Sequence, residues 1–118
     1  MVGVIELGSV GVHGFMKKLD SAFEAFGRHE ERLQNLSLKP SEYIERQVRV
    51  TPYPTEPTGW VIEQAGPNIF MFSSDYPHVE GGRNPMGRFE KATSEFNESD
   101  KDNFFRANFE ELMGSAFN

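Results

Sequence analysis

The chain has 118 residues, a formal net charge of −6 and no cysteine, a size that suits one domain with a modest core. The acidic balance argues against nucleic-acid binding through phosphate neutralisation and against an anionic membrane surface, and the lack of cysteine excludes disulfides and thiolate metal ligands. No apolar run approaches the ~20 residues of a membrane span, and residues 1–16 lack the basic flank of a secretory signal, so we expect a cytoplasmic protein.

The first third of the chain predicts a strand followed by a helix. The apolar run from Val2 to Ile5 indicates a buried strand, and a glycine-containing loop follows it. Residues 15–33 have the pattern of an amphipathic helix. Its apolar side chains are spaced by four, four and three residues, which places them on one face: Phe15, Leu19, Phe23 and Phe26.

The middle of the chain predicts a second strand between two short helices. Pro40 suits the first turn of a helix that ends at Arg46, and residues 48–51 alternate as a strand. Three prolines then interrupt regular structure before residue 58. Thr58 is predicted to cap a helix over residues 59–65, which Gly66 ends.

The last part predicts a third strand, a long loop and two helices. Residues 69–72 form a continuous apolar run, which is typical of a strand covered on both faces. A loop over residues 73–88 precedes a helix over residues 89–96. Ser99 is predicted to cap a final helix that ends at Gly114. The predicted buried face of that helix consists of Phe105, Phe109 and Leu112.

Strands that alternate with helices predict βαβ units and a parallel α/β sheet. Three strands make a small sheet, and both of its edges would be apolar and unpaired. The eleven phenylalanines also need partners to pack against, so we expect an ordered domain rather than a disordered chain.

Asp75 is the first candidate for chemistry, because it lies just beyond the end of the third predicted strand. Active sites of parallel α/β folds form at the carboxyl ends of strands. A carboxylate there can bind a divalent metal or act as a general base on metal-bound water. His78 follows three residues later and could add an imidazole. The simpler interpretations are that Asp75 caps a turn before Pro77 and that His78 is an exposed loop residue.

Other polar residues are weaker candidates for a functional site. Glu6 ends the first strand and could share a site with Asp75, or it could pair with Arg46 or Arg49. Arg83 and Arg88 could bind a substrate carboxylate, or they could balance neighbouring acids. His13 lies in the loop after the first strand, where it could face a ligand, whereas we expect His29 to be solvated. The sequence contains no phosphate-binding glycine motif, nucleophile elbow, His-x-His or His-Glu-x-x-His.

Several segments together resemble a known family. Residues 72–78, Phe-Ser-Ser-Asp-Tyr-Pro-His, follow a Gly-Pro-Asn turn and are similar to the last-strand signature of the amidohydrolase-related metal-dependent hydrolases, including the aminocarboxymuconate-semialdehyde decarboxylase-like enzymes. Residues 4–9 resemble the end of that family's sixth strand. Residues 39–43 with the following strand resemble the approach to its seventh, and residues 105–108 resemble its closing helix.

This resemblance implies a (β/α)₈ barrel with a divalent metal, most often zinc, at the carboxyl face. The family's ligands are a His-x-His after the first strand, a histidine after the fifth and an aspartate after the eighth. Asp75 matches the aspartate, and nothing in this chain matches the histidines. The decarboxylase-like members also end the sixth strand with a catalytic histidine, where this chain has Glu6.

Length supports a partial barrel, since a complete one takes about 250 residues. The chain is therefore expected to form one segment, residues 1–118, with the last three βα units and the C-terminal helices of a TIM barrel. We expect it to be the C-terminal portion of a metal-dependent hydrolase or decarboxylase of small molecules, inactive alone. The alternatives are a non-enzymatic module that completes a barrel with a partner chain or self-associates, and a truncated reading frame.

Overall fold

The computed structural model describes residues 1–116 and has a mixed α/β fold that is mostly helical. Strand β1 (Val2–Val4) pairs in parallel with β2 (Val48–Val50), and Val2 lies opposite Val48. Residues 69–71 run along the other edge of β2. The Val50 N–H donates to the carbonyl of Ile69 and the Met71 N–H donates to the carbonyl of Val50, both at 2.9 Å.

The third predicted strand is therefore reduced to a single parallel bridge between Val50 and Phe70. Backbone groups alternate between the two edges of a strand, so the N–H of Phe72 lies on the edge opposite β2, where it donates to the carbonyl of Phe104 at 2.8 Å. The expectation that this run is covered on both faces is confirmed. Ile69, Phe70 and Met71 are all at most 2% exposed.

Helix α1 covers Val12–Phe26, so the prediction that it continues to residue 33 was wrong. It ends at Gly27, a residue with low helix propensity, and a separate short helix α2 follows over Glu31–Gln34. The predicted inner face was also partly wrong. Met16 is buried in the core, whereas Phe15 is 58% and Phe26 is 60% exposed.

The central helices follow the sequence signals closely. Helix α3 covers Pro40–Gln47, and the Glu42 carboxylate accepts a 2.7 Å hydrogen bond from the Lys39 N–H at its start. Helix α4 covers Thr58–Ala65, one residue earlier than predicted, so Thr58 lies inside the helix rather than capping it. Gly66 ends α4 with a φ of +96°, a conformation that favours glycine.

Two helices in the last third of the chain begin at other residues than predicted, because the asparagines that cap their N-termini were overlooked. Helix α5 covers Pro85–Ala92 instead of residues 89–96, and the Asn84 side chain accepts a 3.0 Å hydrogen bond from the Gly87 N–H. Helix α6 covers Glu98–Asp102. Its cap is Asn97 rather than Ser99, and the Asn97 side chain accepts from the Asp100 N–H at 2.8 Å.

A π-helical turn over Asn103–Ala107 connects α6 to α7, which covers Asn108–Met113. The wider turn rotates the buried face, so Phe104 and Asn108 point into the core. The predicted face was therefore partly wrong, since Phe109 is 42% exposed, whereas Phe105 and Leu112 are half-buried and Phe105 packs against the core. The predicted end of the helix at Gly114, which has a φ of +52°, is confirmed.

Aromatic rings fill the core between the 69–72 segment, α5 and the π turn. The ring centroid of Phe89 lies 5.7 Å from that of Phe72 and 5.1 Å from that of Phe104. Phe105 extends the cluster, 5.0 Å from Phe104. These contacts account for part of the high phenylalanine content and anchor the segment that leads to Asp75. Within residues 1–116, no helix is both long and apolar enough to cross a bilayer.

Candidate metal centre

Asp75 lies three residues beyond the buried strand-like run, at the bend of the chain. Its φ is +53°, and its side chain is only 7% exposed. Gly81 packs directly against this bend, because a Cβ on Gly81 would lie 2.3 Å from the carbonyl oxygen of Ser74. The loop therefore folds back on itself and holds Asp75 in place.

His78 returns towards Asp75 through a tight turn. The His78 N–H donates to the Asp75 carbonyl at 2.8 Å, and the ring Nδ1 lies 3.1 Å from Asp75 Oδ1. The imidazole itself is 60% exposed. The two residues that the sequence singled out are thus in direct contact, and the imidazole remains accessible to solvent.

Glu6 approaches the same point from the end of β1. Its φ is +61°, and two side chains from the loop after β2 hold its backbone. The Tyr53 hydroxyl donates to the Glu6 carbonyl at 2.6 Å, and the Glu6 N–H donates to Thr51 Oγ1 at 3.4 Å. The Glu6 carboxylate lies 3.6 Å from His78 Nδ1. Three polar side chains therefore converge where β1 and the 69–72 segment end.

The negative charges of this cluster change the pKa of its neighbours. The hydrogen bond to Asp75, followed by the charges of Asp75 and Glu6, raises the pKa of His78 above its ordinary value. Partial burial, and then the charges of Asp75 and Glu6, raise the pKa of Tyr53. Tyr53 is consequently a neutral hydrogen-bond donor at pH 7, as its bond to the Glu6 carbonyl requires.

The donor set of the cluster suits a divalent cation. Glu6, Asp75 and His78 each offer one ligand atom, and these atoms lie within 4.8 Å of one another. Two carboxylate oxygens and one imidazole nitrogen suit zinc and similar borderline metals, and three protein ligands leave a position for water or substrate. Asp75 and His78 were predicted as site residues, and Glu6 was named as a second carboxylate.

The other candidate residues lie away from this cluster. Arg83 and Arg88 are exposed, and within residues 1–116 neither forms a hydrogen bond or ion pair with Glu6, Asp75 or His78. His13 lies on α1, not in a loop, and His29 is exposed beyond the end of α1. The alternative pairing of Glu6 was wrong, because Arg49 pairs with Glu111 and Arg46 stacks over a tyrosine ring.

Sequence reasoning missed Tyr53 and Glu56, which support the Glu6 loop from the proline-rich segment. One Glu56 oxygen accepts from the N–H of Ser9 at 2.8 Å, from its hydroxyl at 2.7 Å and from the Val10 N–H at 3.1 Å. The other oxygen accepts from the Tyr53 N–H at 2.9 Å. A signal was available, since this segment follows a predicted strand and its prolines restrict it, as a supporting loop requires.

Comparison with solved structures shows a similarity to an amidohydrolase. No family model and no curated protein matches the chain. The crystal structure of the amidohydrolase map2389c from Mycobacterium avium subsp. paratuberculosis K-10 matches with a TM-score of 0.76 and 29% sequence identity. The match covers 95% of this chain and 27% of the amidohydrolase. The chain therefore has an amidohydrolase-like fold and spans about a quarter of the length of the protein it matches.

Proposed function

We propose that this chain is the C-terminal portion of a metal-dependent hydrolase or decarboxylase of the amidohydrolase type, related to the aminocarboxymuconate-semialdehyde decarboxylase-like enzymes. The observation that carries the proposal is the nine-tenths-buried carboxylate of Asp75 in an amidohydrolase-like fold, next to His78 and Glu6. In a barrel, the carboxyl ends of parallel strands form the catalytic face.

Each site residue has a chemical role in this proposal. Asp75 holds the metal, and it can accept a proton from a water molecule bound beside it. A bound divalent ion would polarise a substrate oxygen and lower the pKa of that water. In a complete barrel, where histidines from the remaining strands would hold the ion together with Asp75, the exposed His78 and Arg83 would be available to bind a small anionic substrate through charge-assisted hydrogen bonds.

The chain is proposed to be inactive alone, because one side of the site has no wall. The sheet ends at β1, whose outer edge pairs with nothing within residues 1–116. A substrate at Glu6 and Asp75 would remain largely in water, where electrostatic stabilisation of a transition state is weak. The remaining strands of a barrel would close the site and add the missing histidine ligands.

A second candidate is a non-enzymatic role in assembly, favoured by an apolar groove beside β1. The groove has a volume of about 430 Å³ and continues the exposed edge of the sheet. Leu7 is 80% and Val2 is 57% exposed there. Another βα segment, from a partner chain or from a second copy, could cover this surface.

A chimaeric barrel tests the proposed function. The quarter of the amidohydrolase map2389c that matches this chain would be replaced by the chain itself. The parent enzyme would first be screened on small amides, esters, lactones and aromatic carboxylates, and turnover of the chimaera would then be measured on every compound that the parent converts in this screen. We expect an active chimaera, with turnover reduced at least about 100-fold by Asp75→Asn because a metal ligand is lost.

Glu63→Gln is the matched control, since Glu63 is exposed on α4, and it should leave turnover unchanged. A chimaera that folds and binds zinc but converts none of the substrates would contradict the enzymatic proposal. Reading the coding sequence upstream of Met1 adds an independent check, because an in-frame His-x-His segment is expected there.

A further inference from the structure

We infer that this chain binds one divalent transition-metal ion by itself, through the carboxylates of Glu6 and Asp75 and the imidazole of His78. The family resemblance matches only Asp75 to a metal ligand, and so implies that histidines outside this chain are needed. The fold changes that expectation, because it brings Glu6 from the end of β1 to the Asp75 loop. The inference needs no barrel completion and does not depend on the proposed function.

The spacing of the donor atoms carries the inference. Bonds of about 2.0–2.2 Å in a tetrahedral site place neighbouring ligand atoms about 3.4 Å apart. His78 Nδ1 lies 3.1 Å from the Asp75 oxygen and 3.6 Å from the Glu6 oxygen. All three donor atoms lie within 4.8 Å of one another, so a side-chain rotation that brings the Glu6 and Asp75 oxygens closer together would place them around one ion.

The charge balance of the cluster also favours a cation. Two carboxylates meet one imidazole nitrogen, which can carry a single proton between them. A divalent ion supplies two positive charges and replaces that proton. Its binding therefore removes the repulsion between the carboxylates more completely than a protonated imidazole does.

The backbone around the site is held in place by the protein before any ion arrives. Tyr53 and Thr51 bind the Glu6 backbone, and the closely packed Gly81 holds the Asp75 bend. Such support separates this cluster from acidic side chains that are merely close on a surface, since less conformational entropy is lost when a metal binds.

The donor types predict which ion is preferred. A nitrogen ligand with two carboxylates suits Zn²⁺, Co²⁺ and Mn²⁺, whereas Mg²⁺ and Ca²⁺ prefer oxygen ligands alone. The exposed imidazole leaves room for water ligands, so we expect saturable binding of one Zn²⁺ or Co²⁺ per chain and much weaker binding of Mg²⁺.

Isothermal titration of the purified chain with ZnCl₂ at pH 7.5 tests the inference, supported by the visible spectrum of the Co²⁺ form and by NMR broadening of the His78 ring signals with Mn²⁺. We expect a stoichiometry of one. Glu6→Gln should raise the Kd at least about tenfold and Asp75→Asn more strongly, because each removes one charged ligand.

Glu80→Gln is the matched control, because Glu80 is an exposed acid whose charge also acts on His78. It should change the Kd less than about twofold, in line with an exposed charge outside the ligand set. Failure to bind zinc with a stoichiometry of one, or equal affinity of wild type and Glu6→Gln, would overturn the inference. Glu6 is exposed, so Glu6→Gln is expected to fold, and circular dichroism checks this.

Discussion

Glu56 shows how a single side chain can connect two loops around the candidate site. Its carboxylate accepts hydrogen bonds from the loop after β1, at Ser9 and Val10, and from the loop after β2, at Tyr53. Burial alone would raise the pKa of the Glu56 carboxyl, but these hydrogen bonds outweigh it and lower the pKa below its ordinary value. Glu56 thereby stabilises the loop that positions Glu6.

We expect Glu56→Ala to lower the free energy of unfolding at pH 7 by about 2 kcal/mol, since charge-assisted hydrogen bonds to backbone donors are lost. A carboxyl with a depressed folded pKa stabilises the protein above its unfolded pKa, near 4.5. That contribution is lost as the pH falls through the lower folded pKa. The difference between wild type and variant should therefore shrink below about pH 4.5.

Urea unfolding at a series of pH values measures this difference. Glu63→Ala provides the comparison, because Glu63 is exposed on a helix and should change stability by less than about 0.5 kcal/mol at any pH. A Glu56→Ala effect that persists unchanged at pH 3 would show that the hydrogen-bonded carboxylate is not its cause.

At the scale of elements, the π turn and α7 complete the edge of the 69–71 segment. In the π turn the Asn108 N–H donates to the carbonyl of Asn103 instead of to that of Phe104, its partner in an α-helix. The Phe104 carbonyl is therefore free to accept a hydrogen bond from the Phe72 N–H. The buried Asn108 side chain then donates to the carbonyls of Pro67, at 2.8 Å, and Phe70, at 2.7 Å. A helix thus satisfies backbone groups that another strand would bind in an extended sheet.

We expect Asn108→Leu to destabilise the protein by about 1–3 kcal/mol, because a buried carbonyl group is left without its donor. The same substitution at Asn103 is the control. Within residues 1–116, the Asn103 amide makes only an exposed hydrogen bond to Asn68, so its loss should cost less than about 0.5 kcal/mol. Thermal and urea unfolding give both values, and equal losses at the two positions would refute the role assigned to Asn108.

At the scale of the molecule, the apolar residues divide between a packed half and an open half. Phe89 and Phe104 are at most 1% exposed in the packed half. Phe15 and Leu7 line the groove beside β1, where Phe15 is 58% exposed. Patches of this kind on a sheet edge favour association with another chain.

We expect the wild-type chain to self-associate at increasing concentration, and the double substitution of Leu7 and Phe15 by Glu to reduce association without lowering stability. The reason is that both side chains are already largely in water. Val79→Glu is the control, since Val79 is 92% exposed outside the groove. Size-exclusion chromatography with light scattering measures the mass, and a wild type that stays monomeric at all concentrations would count against this role of the groove.

Part of the candidate site could be predicted from sequence because its residues lie near each other in the chain. Asp75 and His78 belong to one short segment, whose turn brings them together. The supporting contacts of Glu6 with Thr51 and Tyr53 connect residues more than forty positions apart, and no local pattern specifies them. The sequence likewise could not show that Arg83 makes no hydrogen bond or ion pair with the cluster within residues 1–116, because the path of its loop depends on tertiary packing.

The sequence by itself determined β1, β2, α3 and α4 to within a few residues, and it determined the helix ends at Gly66 and Gly114. Proline, glycine and alternating valines act through local sterics, which need no partner. Only the tertiary structure decided which face of α1 is buried and where the 69–72 segment stops pairing. It also decided that Glu6 meets Asp75 and His78. These outcomes depend on burial against distant elements and on hydrogen bonds such as that from Tyr53 to Glu6, which form only when the chain has folded.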